Sequence, residues 1–229
     1  MLISKRELFL EIHEIDNAVD CLELAYDLLS RNPLKSNMWQ FIVIALFQAL
    51  NTFCVCLLQG TSGYSVYQKP RVKKDGAFTD KYIKLIEWLR DNNSDLVKGI
   101  DHPLDEIPEW NQLSQHQQIQ IFFAHDHILS FSEIFKRCQN SRFIHPPIVV
   151  SNEDEKRIKN LKGTRNSLIH YRPCTSYSYK INSMKEECLS VSQIILQMIQ
   201  REEIKHLLRR NNKYESCLKR CEETCDLLD

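Results

Sequence analysis

MWQFIVIALFQALNTFCVCLL, residues 38–58, holds 17 apolar residues in 21 and no charge. Its length suits either a membrane span or the central helix of a bundle. The polar residues decide between them. At about 100° per residue, Gln40, Gln48, Asn51, Thr52 and the following Gln59 fall within an arc of about 120°. Amides in hydrocarbon are costly, so this stripe fits a buried helix with one face toward a polar cleft. A membrane anchor is the competing reading.

Working outward, residues 4–30 place Leu8, Ile12, Ile15, Val19, Leu22, Ala25 and Leu29 at 3-and-4 spacing, one stripe of an amphipathic helix that Pro33 ends. Residues 60–80 carry Gly60, Gly63, Pro70 and Gly76 and read as a loop. A short helix near 80–91 follows, then an irregular stretch to 114. Ser114 with Gln117 predicts a helix start, with the helix running to about Asn140. Asn152 with Glu155 predicts another, ended by Pro173. Ser183 with Glu186 opens a helix to about Arg210, and a last one covers 213–227.

The expected fold is all-α: a single domain built as an antiparallel helical bundle. Its core takes in about 4–59 and 115–210, with an insertion at about 60–114 and a C-terminal helix at 211–229. Five glycines in 229 residues, against an average usage of ~7%, leave little for tight sheet turns or a glycine-rich phosphate loop. Thirty basic against thirty acidic residues exclude a protein that coats nucleic acid through global charge. Nine cysteines, an odd number, with no signal-peptide pattern in residues 1–10, point to free thiols in a reducing cytoplasm.

The charge is balanced overall but not locally. Residues 156–185 contain eight basic side chains (Lys156, Arg157, Lys159, Lys162, Arg165, Arg172, Lys180, Lys185) and no acidic one. Tyr171, Tyr177 and Tyr179 lie among them. Cations that follow phosphates and rings that stack on bases suit single-stranded RNA. A solvated helix face paired with acids elsewhere is the plainer alternative.

Inside this segment, Arg165-Asn166-Ser167-Leu168-Ile169-His170 resembles the Arg-Asn-x-x-x-His signature of the HEPN superfamily (higher eukaryotes and prokaryotes nucleotide-binding). The motif covers six residues, and the helical layout is compatible over most of the chain. The insertion and the last helix lie outside the minimal pattern. The resemblance implies a helical bundle and a metal-independent endoribonuclease working as a homodimer with a composite site. It also implies an antitoxin or an activating defence partner. Arg165, Asn166 and His170 would be catalytic, and Lys162, Tyr171 and Arg172 would bind RNA. No cofactor and no metal would be needed, because the attacking 2′-hydroxyl belongs to the substrate.

In that reaction His170 would move the proton, Arg165 would clamp the developing phosphorane charge, and Asn166 would orient His170 or bind the phosphate. The products would carry 2′,3′-cyclic phosphate and 5′-hydroxyl ends. Asn166 and His170, four apart, share a helix face. Arg165 lies about 140° and ~7.5 Å from His170 on an ideal helix, so two copies would complete one cleft better than one. Pro173 puts His170 in the last turn, where free carbonyls favour the imidazolium. In some relatives a Tyr two residues past the His is modified; here that position is Arg172. A non-catalytic HEPN-like nucleotide- or RNA-binding or dimerisation module is the alternative function.

Other signals carry less. Arg201 and His206 repeat the Arg-His spacing, but Glu202 and Glu203 follow the Arg and would repel a phosphate. Cys217, Cys221 and Cys225 share one helix face and read as packing. His125 and His127 point apart on a helix and make a poor metal pair.

Overall fold

A computed structural model describes residues 13–31, 36–62, 66, 129–169 and 180–229. Among these the secondary structure is entirely helical: α1 (Glu14–Ser30), α2 (Ser36–Ser62), α3 (Phe131–Cys138), α4 (Asn152–Ile169), α5 (Ile181–Ile199), α6 (Glu202–Arg210) and α7 (Tyr214–Leu228). The expected helix near 80–91, most of the insertion and the Ser114 helix start lie outside the described residues.

The apolar stripe of α1 is buried as its spacing predicts, through Ile15, Ala18, Val19, Leu22, Ala25 and Leu29. It packs on α2, which also meets α3, α4, α5 and α6 and so forms the centre of the molecule. Residues 52–58 are all buried, whereas Gln40, Gln48, Asn51 and Gln59 are half-buried on one side. Thr52, the exception in the polar arc, is buried; its hydroxyl donates to the Gln48 carbonyl at 2.9 Å and accepts from the Gln48 amide at 3.3 Å. Met38–Gln59 is the one stretch among the described residues long and apolar enough to cross a membrane, and 72% of its most apolar window is covered by the rest of the protein.

Several predicted boundaries are corrected. The helix expected to run unbroken to about Asn140 is not helical at Leu129 and Ser130, and α3 starts at Phe131. Ser130 and Glu133 form its capping box, the Ser130 hydroxyl reaching the carboxylate at 2.8 Å and its backbone N–H at 3.3 Å. The α4 cap sits one residue earlier than expected. Ser151, not Asn152, accepts the Asp154 N–H at 3.0 Å and donates to the Asp154 carboxylate at 2.6 Å. That bond is the main reason the Asp154 carboxyl titrates below its usual range.

The helix expected over 183–210 begins at Ile181 and is two helices. Arg201 adopts an extended conformation (φ −76°, ψ 140°) as the N-cap of α6. Its guanidinium donates to the Pro146 carbonyl and pairs with Glu203 at 3.2 Å, so Arg201 is an elbow clamp rather than a helix-surface residue. The bend turns buried Ile204 and Leu208 inward, and α6 packs on α2. Asn212, with φ 54°, reverses the chain into α7 while the Lys213 N–H reaches back to the Leu208 carbonyl at 2.9 Å.

Nor are all neighbouring helices antiparallel. Lys213 pairs with Asp16 at 2.9 Å near the starts of α7 and α1, and Arg220 lies 4.3 Å from the Tyr26 ring centroid further along both. These two helices therefore run the same way. So do α2 and α3, which meet through Phe47 with Phe131 and through Cys54 with Cys138.

Candidate functional site

The sequence-predicted site residues that the structure describes, Lys162, Arg165 and Asn166, lie on α4. This helix buries only Ile158, Leu161 and Thr164, enough to seat it on α2 and α5. Its cations then divide between two sides. Arg157 turns to α5, pairing with Glu153 at 3.0 Å and Glu186 at 3.4 Å. It belongs to the scaffold and leaves the basic patch read from the sequence.

Arg165 and Lys162 turn instead toward a row of rings. Phe47 of α2 meets Phe131 of α3 at 4.6 Å between centroids, and Phe131 stacks on Phe135 at 5.4 Å. The Arg165 guanidinium lies 5.6 Å from the Phe47 centroid and Lys162 Nζ 5.9 Å from that of Phe131, within the range at which a ring face attracts a cation. Arg165 Nη1 also donates to Asn166 Oδ1 at 3.0 Å, and Lys162 Nζ to Ser132 Oγ at 2.7 Å. Among the described residues neither cation has a carboxylate partner. Among the described residues both charges are thus held by neutral groups, an arrangement that suits an outside anion.

The structure brings together Lys162, Arg165 and Asn166. His170, Tyr171 and Arg172 lie outside the described residues. The Asn166 carbonyl holds Arg165, so the orienting role expected toward His170 has at least one bond directed to the guanidinium. Residues the sequence reading passed over are Phe47, Phe131 and Phe135, which form the ring row, and Ser132, which fixes Lys162. A spacing of four puts Phe131 and Phe135 on one helix face in the sequence, but nothing local ties them to Phe47.

Beside this cluster, α3 and α4 leave an open groove of about 380 Å³, lined among others by Ser132, Lys136, Lys159, Gly163 and Asn166. Elsewhere the thiols serve packing. Cys217 and Cys221 are fully buried on α7, and Cys221 donates to the Ser192 carbonyl of α5 at 3.4 Å. Burial pushes the Cys217 thiol up to about 12. No cluster of three or more His, Cys, Asp or Glu suited to a metal occurs among the described residues. No family model, curated protein or solved structure matches this chain.

Proposed function

We propose that the chain is a metal-independent endoribonuclease with a HEPN-like bundle, acting in the cytoplasm as a homodimer, as a toxin or phage-defence effector. The observation that supports it best is the Arg165 guanidinium, held by Asn166 at 3.0 Å and by the Phe47 ring, with no carboxylate partner among the described residues. A guanidinium so placed can grip two oxygens of a phosphorane as charge develops on them. His170, one turn past Asn166 in the sequence, supplies the proton transfer, and the RNA supplies its own 2′-hydroxyl. A second copy brings the imidazole that the ~140° offset keeps from Arg165 on one helix.

Arg165→Ala and His170→Ala should each abolish cleavage of a mixed tRNA, mRNA and rRNA panel in EDTA while the wild type leaves 2′,3′-cyclic phosphate ends. Full activity in either variant refutes the assignment. The engagement of the Asn166 carbonyl by Arg165 favours a second reading, an RNA- or nucleotide-binding module without catalysis. Binding with no cleavage by the wild type across the same panel would select it.

A further inference from the structure

Lys159, Lys162 and Asn166 succeed one another on α4 at spacings of three and four, and so form one line down a helix face. The line is about 10 Å long and forms one wall of the groove; Ser132 and Lys136 of α3 stand in the other. Glu155 also lines the groove, so its lining sets three lysines against one carboxylate. None of the three has an ion-pair partner among the described residues. The N-terminus of α3 contributes little to this field, since Glu133 already occupies it.

Gly163 adds an independent observation. It sits in the interior of α4, where glycine weakens a helix. A Cβ built there meets nothing within 4 Å, and its backbone is not in the left-handed region. Neither packing nor backbone conformation calls for glycine at this position. What its missing side chain does provide is clearance along the groove.

We propose that the α3–α4 groove is a strand-binding subsite, holding the backbone phosphate of single-stranded RNA next to the one Arg165 engages. This rests on the reading of α4 as an RNA-handling helix. Lys136 and Lys159 hold the phosphate from opposite walls, Lys162 is kept in place by Ser132, and the absent side chain of Gly163 lets the sugar-phosphate chain lie close to the helix.

The test uses the full chain and a labelled, short 2′-O-methyl oligoribonucleotide, which lacks the attacking hydroxyl and reports binding without cleavage. The double variant Lys136→Glu/Lys159→Glu and, separately, Gly163→Leu should each weaken binding about tenfold or more. The double variant should also flatten the salt dependence by about 0.7 units of slope, one phosphate contact's worth on a single strand. Lys219→Glu on α7, which does not line the groove, should stay within about twofold.

Binding within twofold of wild type in both groove variants overturns the inference, as does equal weakening by Lys219→Glu, which would mark a diffuse charge effect. Failure of the wild type to bind, or tighter binding of a poly-glutamate probe, overturns it as well. Weakened groove variants alongside full cleavage by Arg165→Ala would keep the subsite and remove Arg165 from the catalytic assignment. Arg165-dependent cleavage with unaffected groove variants would do the reverse.

Discussion

α2 and α4 lie against each other and present opposite surfaces. Every side chain over residues 52–58 is buried in α2, and five helices cover it. In α4 only Ile158, Leu161 and Thr164 are buried, while Lys159, Lys162 and Asn166 line open space. One helix therefore carries stability and the other carries charge. The difference teaches that substitutions on α4 should change chemistry and binding with little loss of folding, and substitutions in α2 the reverse.

The sharpest way to break this contrast is Arg165→Ala. Cleavage should fall about a thousandfold, ~4 kcal/mol in the transition state, while loss of the contact with Phe47 should cost ~1 kcal/mol or less in folding. Chemical denaturation beside a cleavage assay reads both, and an unfolded variant would show that α4 is scaffold after all. Next in size, Leu50→Ala at a fully buried position of α2 should cost about 2–5 kcal/mol, seen as a lower denaturant midpoint. A loss below ~1 kcal/mol would remove α2 from the centre of the core.

Gly163→Ala should move stability the other way, raising it by roughly 0.5–1 kcal/mol, since the new methyl enters open space. A lower melting temperature would contradict that. The smallest effect concerns Glu187, a carboxyl on α5 that is only 7% exposed and has one oxygen without a partner. Burial raises its pKa, partly offset by a bond from Asn160. A raised carboxyl pKa destabilises the fold above the unfolded value and does nothing below it. Glu187→Gln should therefore stabilise slightly at pH 7, and the gain should fade as the pH drops through the folded pKa and below ~4. A gain that persists in strong acid would locate its cause elsewhere.

Much of this organisation was legible in the chain itself. The stripe of α1 and the polar arc of α2 are periodic over many residues, and burial follows them. The break at Arg201 has no Gly or Pro to mark it; its one trace in the sequence is a slip in the apolar spacing, which jumps five residues from Ile199 to Ile204 across Glu202 and Glu203. Ser130 with Glu133 is visible as a capping box, yet the run toward Asn140 reads as one helix without it. At the site, Arg165 and Asn166 were legible because they are adjacent. The ring row was not, since Phe47 and Phe131 meet only when α2 and α3 pack. Nor could spacing alone show that Arg157 faces α5 while Lys162 and Arg165 face the rings.

The elbow at Arg201 joins distant parts of the chain. By gripping the Pro146 carbonyl, it fastens the lead-in to α4 to the C-terminal third of the protein. Truncation experiments must reckon with this tether. A protein trimmed after residue 199 would lose two helices and also unmoor the segment that delivers the basic helix, so lost RNA cleavage in such a fragment would say nothing about contact between the missing residues and RNA.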